Sequence, residues 1–98
     1  MNITRQQNGT TLEIAVEGRL DTLTAPELEA ELKACMDSTD RLILDFSKLE
    51  YISSAGLRVL FGAHQIMSAR NGMKVTHANE IIQEVFEITG LADILTVE

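Results

Sequence analysis

The 98-residue sequence has little of several things, and each shortage closes off a class of function. It contains one cysteine, Cys35, so it holds no internal disulfide and no cysteine-rich metal cluster. At helical spacing from Leu28 and Leu32, Cys35 reads as a small core residue. Three phenylalanines, one tyrosine and no tryptophan leave little material for stacking bases or sugars. Eight Lys and Arg stand against fifteen Asp and Glu, a formal charge of −7. No basic patch is visible, which argues against nucleic acid and is compatible with a basic protein partner. No apolar run approaches the roughly 18 residues that span a bilayer, so direct membrane insertion is not expected. Met1 to Arg5 does not read as a signal peptide, and the expected location is the cytoplasm. The two histidines, His64 and His77, have no Cys, Asp or Glu at metal-ligand spacing, so no metal site is expected. There is also no glycine-rich phosphate loop. A triad could be assembled from Asp45, Ser54 and His77 only by ignoring the spacing, so no catalytic residue and no cofactor are expected.

What is present reads as one small α/β domain over residues 1–98, with 45% apolar residues to fill its core. Residues 2–7 and 11–18 flank Asn8-Gly9, the strongest short hairpin signal, and read as an antiparallel pair. Leu12, Ile14 and Val16 alternate with Thr11, Glu13, Ala15 and Glu17, so one face is apolar. Gly18 is expected to end the second strand. Thr24-Ala25-Pro26-Glu27 opens a helix, with Thr24 and Glu27 as a capping box and Pro26 in the first turn. That helix should run to about residue 37, with Leu28, Leu32, Cys35 and Met36 on one face. Residues 41–46 read as a buried central strand, parallel to the second through a right-handed crossover. After a Ser53-Ser54 turn, a helix of about 54–70 is apolar around most of its circumference and should bury more than one face. Asn71-Gly72 stops it, Met73 to His77 is a short strand, and Asn79 caps a third helix ended by Gly90. Residues 94–97 are a last strand or a packed tail.

The stretch Asp45-Phe46-Ser47-Lys48-Leu49-Glu50-Tyr51-Ile52-Ser53-Ser54-Ala55-Gly56-Leu57 organises the chain. It resembles the signature of the STAS domain family of anti-sigma factor antagonists and their relatives, roughly Asp-x-Ser-x-Leu-x-x-Ile-Asp-Ser-Ser/Ala-Gly-Leu. Asp45, Ser47, Leu49, Ile52, Ser54, Ala55, Gly56 and Leu57 match in order and spacing, and the element order extends the likeness over essentially the whole chain. Ser53 stands where the family usually has Asp. The resemblance implies a STAS-like fold: a mixed sheet of four or five strands, with an N-terminal antiparallel hairpin and helices packed on it.

It also implies a phospho-regulated interaction module. Unphosphorylated, it would bind an anti-sigma factor with serine kinase activity; phosphorylation of Ser54 would release it and a phosphatase would restore it, with ATP belonging to the partner's site. Ser53 is the alternative acceptor. Asp21 and Thr22, in the loop after the second strand, join Ser53, Ser54, Ala55, Gly56, Leu57 and Arg58 as the expected partner surface. Read from the residues alone, Ser54 is simply a helix N-cap, Asp45 braces a loop, and Gly56 marks a close approach by the core or a partner. The competing reading is a non-phosphorylated STAS scaffold subunit of a signalling or lipid-transport complex.

Overall fold

The computed structural model describes all 98 residues. Five strands form one sheet in the order β1-β2-β3-β4-β5. β1 (Asn2–Asn8) pairs antiparallel with β2 (Thr11–Leu20), and β3 (Arg41–Ile52), β4 (Met73–Thr76) and β5 (Thr96–Val97) follow in parallel. The helices α1 (Ala25–Cys35), α2 (Ser54–Met67) and α3 (Glu80–Thr89) are the crossovers between successive parallel strands. No helix is long and apolar enough to cross a membrane.

The alternation in the strands decides which sheet face is buried. Leu12, Ile14 and Val16 of β2, Leu42, Leu44 and Phe46 of β3, and Met73 and Val75 of β4 join one cluster of 24 buried residues. The same cluster takes Leu28, Leu32 and Cys35 from α1, Leu60, Ala63 and Met67 from α2, and Ile82 and Phe86 from α3. The opposite face, with Glu13, Ala15, Ile43, Asp45, Lys74 and Thr76, stays half-buried or exposed. Helices therefore cover one face only, and the stabilising apolar burial lies between that face and the helices.

Three boundary differences from the sequence reading shape the site, while β1, α1, β4 and β5 differ by only one or two residues at an end. β2 does not end at Gly18 but continues to Leu20, because Gly18 adopts φ +104° at an irregularity in the ladder. A glycine takes this conformation without strain, so the chain kinks and keeps pairing. β3 does not end at Phe46 but runs to Ile52, with register shifts between Ala15 and Glu17 and between Gly18 and Arg19 of β2. Each shift places an extra residue in β3. Its buried positions accordingly change from every second residue (Leu42, Leu44, Phe46) to every third (Leu49, Ile52). α2 closes at Met67 rather than near residue 70, and it buries one stripe, Gly56, Leu60, Ala63 and Met67, instead of several faces. Phe61 and Ile66 remain 40% and 46% exposed.

The asparagine cap on α3 forms as read: the Ile82 N–H donates to Asn79 Oδ1 at 2.9 Å. Gly90, with φ +80°, ends that helix. The far end of α2 is tied to the end of α1 by Arg70, whose guanidinium donates to the carbonyls of Met36 and Thr39.

The two helical glycines of α2 provide a direct test. A Cβ at Gly56 would lie 2.7 Å from Leu20 Cγ and 2.9 Å from Ile52 Cγ1, whereas one at Gly62 would meet nothing within 4 Å. Gly62→Ala should therefore stabilise by up to about 1 kcal/mol through helix propensity. Gly56→Ala should lose about 1–3 kcal/mol to overpacking, enough to reverse that gain. Urea unfolding of the two variants should move the midpoints in opposite directions; equal gains would show that the Leu20–Ile52 contact yields freely.

Candidate functional site

The site is built where β2 and β3 leave the sheet side by side. The bulged β3 brings Ile52 opposite Leu20, and the Ser53 N–H then donates to the Leu20 carbonyl at 2.9 Å. Consequently the loop after β2 and the start of α2 share one rim, and Asp21 and Thr22 lie beside Ser53 and Ser54. In the loop, Asp21 Oδ1 accepts from the N–H groups of Leu23 (3.0 Å) and Thr24 (3.1 Å). The Thr24 hydroxyl donates to the Arg19 carbonyl at 2.7 Å and accepts from the Asp21 N–H at 2.8 Å. Thr24 occupies the N-cap of α1 without a side-chain cap bond. The expected capping box with Glu27 does not form, because the hydroxyl that would make it is committed to the loop.

This clamp presents Leu23 to solvent at 86% exposure, the highest of any large apolar residue. The sequence reading did not select Leu23; an apolar residue inside a polar loop between two hydroxyls was the available signal. Arg19 lies over the Tyr51 ring, 4.4 Å from its centroid, and its Nε is 4.0 Å from Asp21 Oδ2. Tyr51, Arg19 and Leu23 thus extend the expected surface along the rim.

The two serines are not equivalent. Ser53 is the N-cap residue, with extended backbone (φ −101°, ψ 177°), but its hydroxyl caps nothing: Oγ is buried and has no hydrogen-bond partner. Ser54 is the first helical residue and is exposed. The capping role expected for these serines is therefore not realised by either hydroxyl. Arg58 is exposed one turn beyond Ser54, on the same side of the helix. Ala55 and Leu57 are half-buried. Gly56, read as part of the partner surface, is instead buried against Leu20 and Ile52 and offers no surface of its own.

Asp45 and His77 come together, with Asp45 Oδ1 3.4 Å from His77 Nδ1 and accepting from the Ser47 N–H at 2.9 Å. Neither side chain is hydrogen-bonded to Ser54, so the forced triad is not assembled. His77 carries φ +60°, rare outside glycine. Burial alone would raise the Asp45 carboxyl, but Ser47 and His77 together hold it below its ordinary value. His64 lies half-buried on α2 and Cys35 in the core. No group of three or more His, Cys, Asp or Glu side chains is placed to hold a metal ion.

The sequence matches the STAS domain profile over residues 2–98, and the chain belongs to the STAS domain family. Among its relatives is BtrV of Bordetella bronchiseptica, a candidate anti-sigma factor antagonist. The two are 36% identical over 99 residues, covering 99% of this chain and 85% of BtrV. The anti-sigma-B factor antagonist of Bacillus subtilis is 26% identical over 98 residues, covering 99% of this chain and 90% of that protein. In fold, the chain resembles an anti-sigma factor antagonist of Mycobacterium paratuberculosis with TM-score 0.88. That pair is 25% identical, with 98% of this chain and 83% of the other aligned.

Two outcomes test the local geometry. Burial pushes the Asp21 carboxyl up, but the N–H groups of Thr24 and Leu23, the Thr24 hydroxyl and Arg19 together hold it below its ordinary 3.8. The folded state thus keeps Asp21 ionised where the unfolded chain takes up a proton. The stabilisation is complete above pH 3.8 and is lost as pH falls through the folded value. Asp21→Asn keeps the acceptor oxygen and removes the charge. Its urea midpoint should lie below wild type by a constant amount near neutrality, with the gap closing below pH 3.8. A gap that widens on acidification would contradict the clamp. For Ser53→Ala, no cap bond is lost, so stability should not fall by the roughly 0.5–2 kcal/mol typical of a removed N-cap; thermal unfolding that shows such a loss would mean the hydroxyl is bonded in solution.

Proposed function

We propose that this chain is a cytoplasmic anti-sigma factor antagonist whose docking surface is the rim around Ser54, switched by phosphorylation of that serine. The observation that carries the proposal is the contrast between the two hydroxyls. Ser54 is exposed at the start of α2, whereas Ser53 Oγ is buried. A kinase can reach the first without unfolding anything, which favours Ser54 over Ser53 as acceptor.

The electrostatics of the rim support a switch. No acidic residue occurs from Tyr51 to Asn79, and the charge nearest Ser54 on α2 is Arg58. The unmodified rim is thus apolar and cationic along α2, with Leu23, Tyr51 and Phe61 available for contact. Phosphorylation transfers the γ-phosphoryl group of ATP to Ser54 Oγ, with the hydroxyl proton passing to the kinase and ADP leaving. It adds about 1.5–2 negative charges at pH 7. Unpaired N–H groups and the positive end of the helix dipole tolerate that charge locally, so the fold is retained. A partner surface shaped for the cationic form then meets an anion. The partner is an anti-sigma factor that is also the serine kinase, and a phosphatase resets the cycle. The B. subtilis relative is named an anti-sigma-B factor antagonist, which supports this class of partner.

Tryptic digestion releases Leu49 to Arg58, which carries both serines. Phosphopeptide mapping of protein from its own cells should find the group on Ser54, at an occupancy that changes with growth condition. In binding to the anti-sigma factor of the same cell, Ser54→Ala should keep wild-type affinity and resist release. Ser54→Asp should bind at least tenfold more weakly, about 1.4 kcal/mol. Equal affinities for wild type, both variants and the phosphorylated protein would refute the switch and favour the scaffold reading.

A further inference from the structure

The outer side of α3 has no role in the rim around Ser54, yet it is built as a contact surface. Ile81 and Ile88 are 60% and 84% exposed, and Val85 between them is half-buried against the core. At 100° per residue these three fall on one stripe. On one side of the stripe the helix turns into the core through Ile82 and Phe86. On the other side lie Glu80, Glu84 and Glu87, all exposed and within one edge of the helix. From Ala78 to Glu98 the chain has five acidic residues and no basic one. None of these three glutamates is ion-paired in the structure.

We propose that the stripe Ile81–Val85–Ile88 with its glutamate edge is a second docking site, taking a basic amphipathic helix from a different protein. An isoleucine pair two turns apart matches the i, i+3, i+4, i+7 anchors by which helices recognise one another. The unpaired glutamate edge asks for lysines or arginines along one side of the incoming helix, which fixes its orientation. A second copy of this chain does not satisfy these terms. Its own α3 would set glutamates against glutamates. Seating its α2 on the stripe would offer the glutamate edge a single full cation, Arg58, and would also cover the Ser54 rim. The site therefore allows one antagonist to hold a basic partner on α3 while the Ser54 rim cycles.

The test uses amide NMR of the 15N-labelled full chain, titrated with a model peptide helix of about 18 residues carrying leucine on one face and lysine on the other. A glutamate-for-lysine counterpart is the control. The lysine peptide should shift the amides of residues 80–89 and leave those of 53–61 in place, with binding weakened by salt. The control should not bind. Ile81→Ser with Ile88→Ser, both at exposed positions, should weaken binding at least tenfold. Glu84→Gln with Glu87→Gln should weaken it while keeping the isoleucines. Shifts centred on α2, shifts spread over the whole surface, or unchanged binding by the serine double variant would overturn the proposal. So would concentration-dependent self-association of the free chain that the serine double variant abolishes. None of these outcomes bears on phosphate at Ser54, which is read separately on the 49–58 peptide.

Discussion

The approach of α2 to the ends of β2 and β3 sets the geometry of everything on the rim. Gly56 lies so close to Leu20 and Ile52 that a methyl group has no room. That contact fixes where the helix starts, because the first turn can approach the sheet only with a hydrogen at this position. The start of the helix in turn decides that Ser53 faces inward and Ser54 outward. The ladder bond from the Ser53 N–H to the Leu20 carbonyl locks the same arrangement from the backbone side. One close packing contact therefore determines which of two neighbouring hydroxyls is chemically available.

Most of the architecture was legible from local rules. Asn8-Gly9 announced the hairpin, Pro26 the first turn of α1, Asn79 and Gly90 the two ends of α3, and period-two alternation the buried face of β2. What escaped were features in which a distant partner overrides the local pattern. β3 could not be followed past Phe46, because its inward positions change from every second residue to every third where extra residues bulge against β2. Gly18 carries a strand terminator's composition but serves as the kink through which β2 continues. Thr24 has the sequence of a capping residue, yet the Arg19 carbonyl and the Asp21 N–H engage its hydroxyl. The apolar circumference of α2 suggested several buried faces; with helices on only one side of the sheet, there is one layer to bury against, and Phe61 and Ile66 are left outside.

At the site, the sequence placed the two serines at a helix start, as the structure has them, but could not distinguish their environments. Burial of the Ser53 oxygen is set by tertiary packing that the two adjacent serines do not report. Leu23 escaped for a related reason: its exposure follows from a loop clamped by Asp21 and Thr24, and nothing in a single apolar letter reports that clamp. Net charge is a coarser guide. The value of −7 is compatible with a basic partner, but charge is divided along the chain. The region from Tyr51 to Asn79 has no acid, and the region from Ala78 onward has no base. Global charge therefore describes α3 well and the Ser54 rim poorly.

Serine at position 53, where the family pattern has aspartate, acquires a physical meaning in this setting. The residue points its side chain into an enclosed space with no hydrogen-bond partner. An ionised carboxylate confined there would face a desolvation cost that the first N–H groups of α2 would have to offset. It would also set a fixed negative charge next to Ser54, opposing a phosphate on that hydroxyl. Serine removes both effects. With serine there, the only acidic group left beside Ser54 on this rim is Asp21, which is already engaged by Leu23, Thr24 and Arg19, and the proposed phosphate would meet the helix dipole and Arg58. On the proposed switch, the replacement would alter the neighbourhood that a kinase recognises while leaving the change of charge at Ser54 itself.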